Sequence, residues 1–248
     1  SRIYACKTPD RARVEAEAAQ QRAKTGGLRS PLDGVPISWK DLFDSAEYPT
    51  GAGSALLAGR VPAKDAEVLA NATAQGLVCL GKTHMSELAF SGLGLNPVTA
   101  TPACINDAAA VAGGSSSGAA ASIACDLAAG AIGSDTCGSV RIPAAWNDLV
   151  GLKTTAGRVS VQGVVPLCAT FDTVGPLSKT VEDAALLLAA LEGRTPADLT
   201  ASSLRGKRLG VLQTVAFDEL REAPALGFET ALAKVIKAGA MVEDIEIE

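Results

Sequence analysis

The run Leu-Val-Cys-Leu at residues 77–80 is apolar at every position and too short for a buried helix, which is the pattern of a buried strand. A second such run, Leu-Val-Gly-Leu, stands at 149–152. Residues 38–43 read as a short strand or strand end after a turn-rich stretch at 31–37, and 208–212 and 241–248 read as strands, the last with period-two alternation. Between them lie helical segments. Thr8-Pro9 opens a charged, alanine-rich one that stops at Gly26-Gly27, and 65–75 forms another ended by Gly76. Small residues at 119–129 predict a closely packed helix, Thr180 caps one over 181–191 with acids in its first turn, and 223–237 forms the last. Short apolar strands alternating with helices predict a layered α/β fold. No repeat and no linker divides the chain, so the expectation is one domain over 1–248. The chain begins ahead of a helix and stops inside its final strand, so that domain is expected to be truncated at both ends.

Composition excludes several classes of function. A chain of 248 residues that is 48% hydrophobic can bury a sizeable core. Its net charge of −5, with no Lys/Arg cluster, argues against a nucleic-acid partner. No apolar run is long enough for a bilayer, so no membrane partner is expected. The six cysteines form no CxxC pair and sit mostly among apolar neighbours, the pattern of buried, reduced thiols in a cytoplasmic protein. Their scatter also argues against a zinc site.

Three motifs carry chemistry or imitate it. GLVCLGKT (76–83) matches the phosphate-loop pattern letter for letter, yet that mechanism needs a strand before the first glycine and an exposed loop after it. Here a helix precedes Gly76 and the would-be loop is apolar, so the match is rejected. GSSSG (114–118) matches the nucleophile elbow of α/β-hydrolases, with Ser116 at its centre, but that machinery needs a histidine downstream. The single histidine, His84, lies upstream and reads as a loop or core residue. GSDTCGS (133–139) fits a tight turn equally well as a row of backbone amides leading to an exposed serine, which could hold an oxyanion. A serine nucleophile without histidine needs another base. Lysine serves when burial lowers its pKa, and Lys40, in the apolar setting of GVPISWKD (34–41), is the best candidate.

Taken together, GVPISWKD (34–41), GKTHMSELAFSG (81–92), GGSSSGAAASIA (113–124), GSDTCGSVRIPAAW (133–146), VGLKTTAGRVS (150–160) and FDTVGPLSKTVEDAALLL (171–188) closely resemble the amidase signature family of serine hydrolases. The likeness covers nearly the whole chain in the family's order. It implies a large mixed, twisted β-sheet covered by helices on both faces, incomplete here. It also implies a Ser–cis-Ser–Lys triad in which Ser139 attacks, Ser115 relays the proton and Lys40 accepts it, with a cis peptide at Gly114–Ser115. The amides of Thr136, Cys137, Gly138 and Ser139 would form the oxyanion hole. No cofactor and no metal are implied. The reaction expected is hydrolysis of a carbon–nitrogen bond in a linear, small-molecule amide, and the partner expected is a second copy or a chain supplying the missing C-terminal part.

The chain departs from the family pattern at three places: Cys137 stands where glycine is usual, Asn147-Asp148 replaces a cysteine–glycine step, and Thr155 replaces a proline. Two other readings compete. One is the amidase-like component of a glutamine-dependent tRNA amidotransferase, in which Ile-Arg-Gln-Pro usually follows the nucleophile, whereas Val140-Arg141-Ile142-Pro143 stands here. The same proteins usually carry an aromatic–glycine step where Val161-Gln162-Gly163 stands. The other is a catalytically inactive fragment, against which intact Lys40, Ser115 and Ser139 weigh.

Overall fold

The computed structural model describes residues 2–246. It divides into two compact units, the first running to Ala197 and the second starting at Asp198.

The first unit is built on a six-stranded sheet. Its elements are β1 (Tyr4–Lys7), α1 (Pro9–Thr25), β2 (Pro36–Lys40), α2 (Glu67–Ala74), β3 (Val78–Thr83), α3 (Ser117–Ala124), β4 (Gly130–Asp135), α4 (Arg141–Trp146), β5 (Val150–Gly151), β6 (Thr173–Ser178) and α5 (Val181–Glu192). The strand order is β1-β3-β2-β4-β6-β5. β2 runs parallel to both β3 and β4, while β1, β6 and β5 pair antiparallel, so the sheet is mixed.

Strand alternation sends successive residues to opposite faces. On β4, Ile132 joins a core with Ile37 and Trp39 of β2, Leu69 of α2, and Leu187 and Leu191 of α5. Its neighbour Ala131 joins a second core with Ala119, Ala120 and Ile123 of α3 and Ala144 of α4. Helices therefore cover both faces, the layered arrangement expected. The alternation of β2 matters for function. Ser38 meets Ser122 of α3 at 2.7 Å between hydroxyls, and Lys40, two positions on, faces the same way.

Local signals placed several elements well. Gly26 ends α1 in the left-handed conformation, and the Thr180 hydroxyl accepts the Asp183 amide at the start of α5. The rejected phosphate loop is strand β3, its Lys82 fully buried. Other expectations need correcting. The helix expected over 119–129 ends at Ala124, and 130–135 form the fully buried strand β4, whose last three residues fall in the stretch 133–139 that reads as a turn. Tertiary burial overrides the weak strand preference of Gly, Ala, Ser and Asp there. β6, which contains Gly175 and Pro176, is likewise a strand that its own residues do not announce. Of the six cysteines, all free, only Cys79 is buried, and Cys125 and Cys137 are exposed.

In the second unit, β7 (Arg208–Gln213) and β8 (Met241–Glu246) pair in parallel and are joined by α6 (Glu222–Lys237). Residues 247 and 248, included in the expected last strand, lie outside the described residues. No helix among the described residues is long and apolar enough to cross a membrane.

Candidate active site

β2 delivers Lys40 to the end of the sheet with its side chain fully buried. Its Nζ donates to Ser115 Oγ at 2.7 Å and to Ser134 Oγ at 2.8 Å. Burial is the dominant influence and lowers the Lys40 pKa to about 7, against an upward pull from Asp135 and then Asp172. The other buried lysine differs in kind. Lys82 lies 3.4 Å from the carboxylate of Asp41 and donates to Thr50 Oγ1 and the Pro49 carbonyl. A carboxylate in contact favours a charged amine, whereas two hydroxyls can hold a neutral one. Burial lowers the Lys82 pKa as well, but Asp41 in contact pulls it back up.

Ser115 lies in the loop before α3. Its carbonyl accepts the Ser86 amide at 3.1 Å, and the Gly114 amide donates to the Gly92 carbonyl at 2.7 Å. The loop demands glycine: a Cβ on Gly114 would come within 2.5 Å of the Gly94 nitrogen. The Gly114–Ser115 peptide is cis. One residue on, the Ser116 amide donates to the Ser139 carbonyl at 3.2 Å, which ties the two serine-rich segments together.

The second segment folds around a carboxylate. Asp135, at the end of β4, accepts the amides of Gly138 (2.6 Å) and Val140 (3.1 Å) and two contacts from the Arg141 guanidinium, both at 3.0 Å. This wrapping presents Ser139, 8% exposed, at the start of α4. Of the four amides expected to meet an oxyanion, that of Gly138 donates to Asp135. Beyond it, the Thr136 hydroxyl and the Leu167 and Cys168 amides all donate to Asp172.

Ser139 opens on a cavity of about 380 Å³ whose wall includes Phe90, Gly92, Cys137, Ile142, Leu167 and Cys168. A larger cavity of about 540 Å³, lined by Arg29, Leu186 and Arg194 among others, contains none of the candidate residues. His84 is not part of the constellation. Burial lowers its pKa, its Nδ1 has no hydrogen-bond partner among the described residues, and its backbone bonds Gly118 and Ile3. Sequence reading missed Ser134, Asp135 and Asp172. The alternation of β4 would group Ser134 with Ile132, away from Lys40, so no strand pattern nominates it.

The family profile described as Amidase matches residues 3–248, and the chain belongs to the amidase family. The A component of glutamyl-tRNA(Gln) amidotransferase from Anaeromyxobacter dehalogenans (strain 2CP-C) is 40% identical over 253 residues, covering 96% of this chain and 51% of the relative. Among solved structures, native peptide amidase from Stenotrophomonas maltophilia is 37% identical with a TM-score of 0.88, over 99% of this chain and 54% of that one. The A component of glutamyl-tRNA(Gln) amidotransferase from Thermotoga maritima is 25% identical with a TM-score of 0.81, over 97% of this chain and 59% of that one. The chain spans about half the length of the curated relatives it matches.

Proposed function

We propose that the chain carries the catalytic centre of an amidase that hydrolyses a linear carboxamide through an acyl-enzyme on Ser139. Neutral Lys40 takes a proton from Ser115, and Ser115 takes one from Ser139 as its oxygen bonds the substrate carbonyl carbon. The amides of Thr136, Cys137 and Ser139 stabilise the oxyanion. When the carbon–nitrogen bond breaks, the proton held at Lys40 returns through Ser115 to the leaving nitrogen, which departs as ammonia or an amine. Water then repeats the sequence in place of Ser139, and the acid is released.

The observation that carries this reading is the fully buried Lys40, poised near neutrality and bonded to Ser115 at 2.7 Å, with the next residue's amide on Ser139. A second reading, an amidotransferase component that passes the released ammonia to another acceptor, has its support in the 40% identity to the glutamyl-tRNA(Gln) amidotransferase relative. The two share the acyl-enzyme and differ in the fate of the nitrogen.

A fluorophosphonate, which traps activated serines, should label the peptide containing Ser139. Ser139→Ala should abolish the label, and Ser116→Ala should retain it. Labelling confined to Ser115 or Ser116 would overturn the assignment. Free ammonia released from a simple carboxamide, without an added acceptor, would favour the hydrolase over the amidotransferase.

A further inference from the structure

The cavity at Ser139 is walled mostly by carbon. Phe90, Ile142 and Leu167 contribute apolar side chains, Gly92 contributes bare backbone, and the thiols of Cys137 and Cys168 behave as small, weakly polar groups. No Asp, Glu, Lys, Arg or His is among the described residues that line it. The two carboxylates that organise its loops are satisfied internally. Asp135 is held by backbone amides and Arg141, and Asp172 by Thr136 and the Leu167 and Cys168 amides. Arg141 directs Nε and Nη2 at Asp135 and does not line the cavity.

Ile142 lies against two glycines, Gly92 of this wall and Gly138 beside Ser139. A Cβ on Gly138 would come within 2.7 Å of the Ile142 Cδ1, and one on Gly92 within 3.2 Å. The Ile142 amide donates to the Gly138 carbonyl at 2.7 Å, which locks α4 to the loop of Ser139. A charged substrate group lying against this wall would give up part of its hydration and find no counter-charge among the described lining residues, an unfavourable exchange. An aliphatic or aromatic group would lose only unfavourable water contact.

We infer that Ile142 is a specificity-determining residue of the Ser139 site, and that the site takes neutral carboxamides with an apolar acyl portion in preference to amides carrying a carboxylate or an ammonium beside the scissile carbonyl. The inference rests on the acyl-enzyme reading given above. It adds the substrate class, and it makes the charged head of a free amino-acid amide a poor fit to this wall.

Three fluorophosphonates of equal length test it, one ending in methyl, one in carboxylate and one in ammonium, with labelling of Ser139 in the 248-residue chain followed by mass spectrometry. The methyl-ended probe should react at least about tenfold faster than either charged one. Ile142→Gln should narrow that ratio to within about threefold, and Ile142→Leu should keep it. Ile142→Ala, which removes wall carbon without adding polarity, should slow the methyl-ended probe alone. Circular dichroism and melting of each variant show whether it is folded. Equal rates in the unaltered chain would overturn the inference, as would a ratio unmoved in a folded Ile142→Gln, while the acyl-enzyme reading would stand. Failure of every probe to reach Ser139 would remove that reading, and this inference with it.

Discussion

The amino nitrogen of Lys40 lies 2.7 Å from the hydroxyl of Ser115, a residue 75 positions further along the chain. Parallel pairing of β2 with β3 and β4, and the crossover of α3 onto the face that Lys40 shares with Ser38, bring them together. A second hydroxyl, Ser134, arrives from 94 positions away on β4. The amine's bonding partners among the described residues are these two hydroxyls, neither of them charged.

Activity should therefore depend on pH through Lys40. Burial lowers its pKa to about 7, so the neutral base disappears, and the rate with it, as pH falls through that value. Stability should move too. Unfolded lysine titrates near 10.5, so between about 7 and 10.5 the unfolded chain binds more protons and stability rises with pH; the cost of the buried charge is full below about 7 and gone above 10.5. Lys40→Met should lose activity and this pH dependence together. Rate profiles and urea unfolding from about pH 6 to about 10 measure both, and a Lys40→Met chain with unaltered rates would end the Ser–Lys mechanism.

Ser134 should act as a positioning residue for Lys40. Ser134→Ala removes one acceptor from the amine, worth about tenfold in kcat/KM. Because that acceptor favours the ammonium form, its loss should also shift the acid limb of the rate profile to lower pH. A slower enzyme with an unshifted limb would reduce Ser134 to packing.

Asp135 should hold the loop that carries Ser139 in place. Burial pushes its pKa up, but the Arg141 guanidinium and the Gly138 and Val140 amides outweigh that and hold it below the ordinary carboxylate value. The resulting stability is present above about pH 3.8 and lost as pH falls through the lowered pKa. Asp135→Ala leaves buried donors unpaired and should cost about 3 kcal/mol in urea unfolding, tempered because Arg141 stays half in water. A loss under about 1 kcal/mol would mean the loop holds its shape by other means.

Gly118→Ala should destabilise α3 against its neighbours. The added Cβ would sit 2.6 Å from the Ile3 carbonyl oxygen and 2.7 Å from the His84 nitrogen and oxygen, all backbone atoms. Overpacking of this kind costs about 1–3 kcal/mol. An unchanged melting temperature would show that the segment can retreat.

Much of the architecture is legible in short stretches. The α1 stop at Gly26, the Thr180 cap and the apolar run that forms β3 follow from preferences acting within a few residues. Lys40 reads as a buried lysine because its neighbours are apolar, and it is 0% exposed. The same reasoning does not single out Lys82, equally buried, whose partner Asp41 lies just beyond the end of β2. β4 and β6 are not legible, since Gly, Ala, Ser and Pro gain strand structure there only from the neighbours that bury them.

The sequence by itself determined the alternation of helix and strand, the glycines that close approach requires, and, through six matching segments, the family and the residues to suspect. Only the tertiary structure decided what those residues can do. It spent the Gly138 amide on Asp135, brought Ser134 to Lys40 and set Ile142 against both Gly138 and Gly92. It also left Cys137, unusual for the family, exposed on the cavity wall. The physical reason is one of range. Helix propensity, capping and turn chemistry act over a few residues, whereas a lysine's proton affinity and a pocket's polarity are set by burial and by groups delivered from strands many positions apart.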